Sequence, residues 1–253
     1  MKIVAITNQK GGVGKTTTAV NLAASLAVEG KHVLLIDLDP QGNATTGAGI
    51  TKQKALSTVY QMLLGTAKLS EVSIRTDFAF DIIPANRELA GAEVELIGLK
   101  EREYRLKNAL LAGHASYDFI LIDCPPALNM LTVNGLVASD CVLIPMQCEY
   151  YALEGLSDLV ETLRKVRTHL NSRLEIEGLL RTMYNAQSTL TQQVSGELER
   201  HFGNKVYRTI VPRNVRLAEA PSYGKPVIAF DKSSKGAQAY SALAKEILER
   251  VAP

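Results

Sequence analysis

The stretch KGGVGKTTT, Lys10 to Thr18, lies between an apolar run at residues 3–6 and the helical spacing of Ala19, Leu22, Ala23 and Leu26. It restricts the fold more than any other segment. Gly11, Gly12 and Gly14 can adopt backbone angles closed to other residues, so with Val13 they can turn their N–H groups toward an anion at a helix start. Such a loop needs a strand entering it and a helix leaving it. Within that arrangement Lys15 would reach outer phosphates, the Thr16 hydroxyl would ligate Mg²⁺, and Thr17 would belong to the same nucleotide-binding set. One departure stands out: the general pattern has Gly where this chain has Gln9, and a second lysine, Lys10, opens the loop. A lone lysine there is ordinarily a solvated loop residue.

The remaining pattern alternates strands and helices. Residues 32–37 (HVLLID) and 118–123 (DFILID) are nearly continuous apolar runs ending in Asp, as expected of parallel strands covered on both faces. Further strands are expected at 80–84, 142–145, 176–184 and 206–211. Helices are expected at 15–29, 56–64, 87–111 with a break near Gly98, from a loop within 147–156 to about 170, at 191–202 and at 236–251. Residues 44–79 read otherwise as loop, and 212–225 as a polar loop with proline at either end. Glu93, Glu95, Glu101 and Glu103 read as a solvated helix face. The expected architecture is α/β: a mostly parallel twisted sheet with helices on both faces, P-loop NTPase-like, forming one domain over 1–253.

The 253 residues suffice for a buried core, and 46% hydrophobic with 21% charged residues is ordinary globular usage, which excludes disorder. Three cysteines without C-x-x-C spacing make a poor disulfide framework. No signal segment or bilayer-length apolar run is present, so a cytoplasmic protein is expected. A net charge of +2 does not by itself argue for nucleic acid, but its distribution does. Residues 200–236 hold eight lysines and arginines against Glu219 and Asp231.

Ligands in open α/β sheets collect at the strands' C-terminal edge, so the loop, Asp37, Asp39 and Asp123 should converge there. Phosphoryl transfer needs neutralised charge, a held metal and an aligned water. Lys15 and the loop amides answer the first need. Thr16 and Asp123 answer the second, with Asp39 also near the metal; Asp39, on the D-x-D-P loop, is the candidate to orient the water. Asp37, nearer the strand, is expected to be structural or Mg²⁺-linked.

The signature K-G-G-V-G-K-T resembles the deviant Walker A loop of the ParA/MinD family of ATPases. DLDPQGNAT (37–45), LIDCPP (121–126), QCEYYALEGL (147–156) and IVPRNVRLAEAPSYGKP (210–226) extend the resemblance along nearly the whole chain, toward the ParA/Soj branch. The resemblance implies ATP and Mg²⁺ as ligands, a homodimer closing over ATP, and Lys10 crossing to the partner's phosphates. It implies an adenine site at Asn185, Pro212, Arg213 and Asn214. Non-specific duplex DNA, met through Arg213, Arg216 and Lys225, and a ParB-like protein that stimulates hydrolysis are the implied partners, with the nucleoid as the place of work. Relatives often carry Arg where this chain has Gln187.

Three rivals are weighed against the same residues. A MinD-like membrane ATPase would need a basic amphipathic C-terminal helix, yet Lys245 and Arg250 are balanced by Glu246 and Glu249. An iron–sulfur reductase would need cluster cysteines, for which Cys124 and Cys148 are the candidates. A metabolic ATP-dependent ligase would need a substrate-binding insertion, and none is visible.

Overall fold

The computed structural model describes residues 1–52, 57–113 and 116–251. Its eight strands are β1 (Lys2–Ile6), β2 (Val33–Asp37), β3 (Ile74–Arg75), β4 (Asp81–Ile83), β5 (Phe119–Asp123), β6 (Cys141–Gln147), β7 (Glu175–Tyr184) and β8 (Val206–Pro212). They form one sheet in the order β3-β4-β2-β5-β1-β6-β7-β8. Every neighbouring pair is parallel except β3 with β4.

The apolar runs are explained by burial on both faces. Leu34 and Ile36 of β2, with Ile120 and Ile122 of β5, pack into one core; Val33 and Leu35, with Phe119 and Leu121, pack into the other. The first core is closed by helices Leu89–Ile97, Arg105–Leu111, Met130–Ala138, Ala152–His169 and Thr189–Phe202. The second is closed by Lys15–Val28 and Lys235–Val251, which contribute Ala19, Leu22, Ala23 and Leu26 opposite Tyr240, Leu243, Ala244 and Ile247. The Thr18 and Tyr240 hydroxyls share a buried hydrogen bond of 3.1 Å between these two helices.

The expected break near Gly98 is present: the helix Leu89–Ile97 stops there and Arg105–Leu111 follows a 3₁₀ turn. The start expected at Leu56 lies outside the described residues, and the helix is found at Val59–Leu64, capped by Thr58 with Gln61. Residues 44–79 are more ordered than a loop. They contain helices Asn43–Gly47 and Leu69–Val72 and the strand β3. These elements are too short to carry a periodic signal. The segment 212–225 is likewise not a plain loop, because Asn214 caps a helix at Val215–Glu219 and a 3₁₀ turn follows at Ala220–Tyr223. Glu93, Glu95 and Glu103 do lie on the surface side, bonded to Asn129, Tyr60 and Arg102.

The outer strand β8 is fastened through Glu246, which is 4% exposed. Its carboxylate accepts from the Arg208 and Thr209 amides at 2.9 Å each, from the Thr209 hydroxyl at 2.7 Å and from Arg250 at 2.9 Å. Burial alone would raise its pKa, but the Thr209, Arg208 and Arg250 donors outweigh that and hold it below the usual glutamate range. A depressed folded pKa stabilises above the unfolded value and loses that contribution as pH falls through the folded one. Glu246→Gln is therefore expected to cost about 2 kcal/mol at pH 7, the scale of charged hydrogen bonds. It should also flatten the acid limb of stability below about pH 4. Urea unfolding of both proteins across pH checks this; an equal loss at every pH would contradict it.

Candidate functional site

The loop between β1 and the helix Lys15–Val28 runs through Gly12 at φ 74° and Gly14 at φ 88°. Side chains rarely tolerate that left-handed region, which is why glycine occupies both positions. Among the described residues, the amides of residues 11–14 donate to no protein acceptor. Together with the helix start they form a cradle for an anion. Two side chains hold it from outside. Thr182 of β7 donates to the Val13 carbonyl at 2.8 Å, and Asn8 accepts from the Lys10 amide at 3.0 Å while donating to the Pro145 carbonyl at 2.9 Å.

Lys15 is 7% exposed, and its ammonium donates to the Lys10 carbonyl at 3.0 Å. Burial lowers its pKa, with Asp123 and then Asp39 working in the opposite direction. Lys10 points elsewhere. Its ammonium meets the Glu149 carboxylate at 2.5 Å, both side chains being about half exposed (45% and 50%).

The sheet register aligns the carboxylates: Asp37 of β2 lies opposite Asp123 of β5, and Asp123 opposite Ile6 of β1, directly before the phosphate loop. Both carboxylates are fully buried, but their surroundings differ. Asp37 accepts from the Asp39 amide at 3.1 Å, the Thr45 amide at 2.8 Å and the Thr45 hydroxyl at 2.7 Å. Its lone pairs serve the turn that carries Asp39. Neither oxygen of Asp123 has a hydrogen-bond partner. Burial, and next the charge of Asp37, raise the Asp123 pKa well above the carboxylate range; the Thr16 hydroxyl, close without completing a hydrogen bond, and Lys15 counteract this without prevailing. An orphaned buried carboxylate beside a lysine and a threonine hydroxyl fits a hard cation with oxygen ligands. Asp39 is half-buried, and its Oδ1 accepts from the Gln41 amide at 2.9 Å.

The β7–β8 register brings the other predicted wall together, pairing Tyr184 with Pro212, so that Asn185 and the 212–214 segment leave the sheet side by side. Asn185 and Arg213 are exposed, while Asn214 caps the next helix, its Oδ1 accepting from the Leu217 amide at 3.3 Å. Arg216 is paired with Glu219 at 2.8 Å and with Asp231 at 3.3 Å, whereas Arg213 and Lys225 are exposed without an ion pair among the described residues. The basic tract is thus less free than its composition implies, since Arg208 and Arg200 also pair, with Glu249 and Glu197.

Asn8, Thr182, Thr45 and Glu149 are functional neighbours that motif reading does not single out. The three cysteines are buried, with burial pushing the Cys148 thiol up to about 11, Cys141 to about 12 and Cys124 higher still. Protonated core thiols are poor cluster ligands, and no group of three or more His, Cys, Asp or Glu among the described residues could hold a metal. The helix Lys235–Val251 spends its apolar face on the core, and no helix among the described residues is long and apolar enough to cross a membrane.

The chain resembles known proteins over its whole length. A family model described as an AAA domain matches residues 1–176. The sporulation initiation inhibitor protein Soj of Bacillus subtilis is 57% identical, over 97% of this chain and 98% of its own. The chromosome partitioning protein ParA of Caulobacter vibrioides is 50% identical, over 99% and 95%. Among solved structures, a cobyrinic acid a,c-diamide synthase from Mycobacterium smegmatis with bound ADP and magnesium superposes with a TM-score of 0.87 at 37% identity, over 99% and 95%. At such identity over nearly the whole of both chains, the chain belongs to the ParA/Soj family of chromosome-partitioning ATPases.

Proposed function

We propose that this ATPase works as a DNA-segregation switch: two copies close over ATP and Mg²⁺, the dimer binds duplex DNA without sequence preference, and hydrolysis stimulated by a ParB-like partner releases it. The observation that carries the reading is Lys10. It lies at the exposed rim of the phosphate loop, held by a half-exposed ion pair and not used within its own site. A lysine so placed is available to a second subunit.

In this reading Lys15 and the amides of Gly11, Gly12, Val13 and Gly14 hold the phosphates, with Thr16 and Thr17 at the helix start. Thr16 and Asp123 hold the metal, which when bound neutralises charge on the β- and γ-phosphates. Asp39 orients the attacking water and lies near the metal. Asn185, Pro212, Arg213 and Asn214 flank the base. For DNA, Arg213 and Lys225 supply free charge, while Arg216 is a weaker contributor because Glu219 and Asp231 compete for it. A single domain acting in the cytoplasm at the nucleoid completes the picture. A diamide synthase like the one named in the M. smegmatis structure is a less favoured reading, because the partition proteins are more similar in sequence.

The test is a salt titration of duplex binding with ATP, with ADP and without nucleotide. With ATP, log K is expected to fall linearly with log salt at a slope of about −0.9 per phosphate contact, and without ATP binding should be at least tenfold weaker. Binding indifferent to nucleotide would remove the switch.

A further inference from the structure

Beyond the Asp39 loop the chain forms one side of a cleft of about 560 Å³, lined by Thr46, Lys52, Asp77, Phe78, Tyr223 and Lys225. Its two sides meet backbone to backbone. A Cβ on Gly49 would lie 3.0 Å from the Gly224 carbonyl, and one on Gly224 would lie 3.2 Å from the Gly49 Cα and 3.4 Å from the Thr46 carbonyl. Only glycines allow that approach, so the helix Asn43–Gly47 and the turn Ala220–Tyr223 are seated directly on each other.

Lys52 and Lys225 line this cleft, and neither ammonium has a carboxylate partner among the described residues. Lys225 is exposed. Lys52 donates to the Gln41 carbonyl, and the Gln41 amide donates to Asp39. A neutral carbonyl leaves the lysine's charge uncompensated, and an anionic oxygen is the stronger acceptor. Tyr223, 66% exposed, adds an aromatic surface beside them. Asp77 is the one carboxylate in the lining.

We propose that this cleft takes a backbone phosphate of duplex DNA between Lys52 and Lys225, and that Lys52, by exchanging the Gln41 carbonyl for that phosphate, ties DNA occupancy to the position of the Asp39 loop. The proposal rests on the DNA-binding reading and adds to it a contact residue and a route back to the hydrolytic loop. Duplex DNA is the occupant because it offers a row of phosphates, and the exposed Arg213, Lys232 and Lys235 of the same C-terminal part of the chain give such a row further partners.

The test uses the full-length chain with ATP and a fluorescent duplex of arbitrary sequence. Lys52→Gln and Lys225→Gln are each expected to shrink the log K against log salt slope by about 0.9 for every cleft engaged. ATP affinity, read with a fluorescent analogue, should stay within about twofold, since the phosphate cradle is intact. Duplex addition should alter amide exchange at Gln41 and Asn43 in the wild type and not in Lys52→Gln. A slope unmoved by Lys52→Gln, while Lys225→Gln lowers it, overturns the cleft and leaves the DNA reading standing. An exchange pattern in the wild type that ignores duplex overturns the coupling. Absence of ATP-dependent duplex binding in the wild type overturns both readings together. Weaker binding of Lys52→Gln to anionic lipid vesicles, with duplex binding unchanged, overturns the choice of occupant.

Discussion

Lys10→Ala is expected to slow ATP hydrolysis by at least about 10³-fold, at the lower end of what a cation supplied across an interface contributes to phosphoryl transfer. Binding of ATP to the single chain should change by no more than a few-fold, because in the proposed site the phosphates there would be held by Lys15 and the loop amides. The energetics allow the move this requires. Among the described residues the Lys10 ammonium is tied only to Glu149, at 2.5 Å, with both side chains about half exposed, and such a pair contributes only about 0–1 kcal/mol. A triphosphate can outcompete it. Single-turnover hydrolysis over a range of protein concentrations is the measurement. Wild-type rates should climb with concentration as dimers form, and those of Lys10→Ala should stay flat. A variant that keeps the concentration-dependent rise would show that Lys10 does not act across the interface.

Asp39→Ala is expected to reduce hydrolysis by about 10²–10⁴-fold, the range for loss of a general base, while the ATP-bound dimer persists longer. The prediction depends on how Asp39 is held. Its backbone amide is fixed by Asp37 and its carbonyl accepts from the Gly42 amide at 2.8 Å, so removal of the side chain loses only the Gln41 amide's contact with Oδ1 and keeps the turn. Asp37→Ala is the informative contrast. It would strip a fully buried acceptor from Thr45 and Asp39, and lower stability should accompany any loss of activity. Light scattering with ATP, alongside thermal unfolding, separates the two. If Asp39→Ala dimers dissociate as fast as wild type, the water-orienting role assigned to Asp39 is wrong.

The sequence made the site's chemistry legible where motif and topology coincide. KGGVGKTTT, the aspartates ending residues 32–37 and 118–123, and the 212–214 segment all occupy one sheet edge because parallel strands point the same way. What holds these pieces is less legible. Thr182 reaches Val13, and Asn8 reaches Pro145, only through the strand order that sets β6 beside β1 and β7 next beyond it. The basic tract misleads for a similar reason. The partners of Arg200 and Arg208 are Glu197 and Glu249, both outside residues 200–236, so a local count sees charges that the fold pairs off. Helices of four and five residues at 43–47 and 69–72 fall below the length at which periodicity is readable.

The glutamate that fastens β8 has a consequence for assembly. An outer strand with free amides invites another chain to add to the sheet, but the Arg208 and Thr209 amides are occupied by Glu246. At the opposite border β3 is only two residues long and runs antiparallel to β4. Both borders are therefore poor templates for strand addition, which disfavours open-ended stacking through the sheet. The proposed ATP-bound dimer would then form through loops at the strand ends, where a contact can be made and broken with the ligand it would enclose.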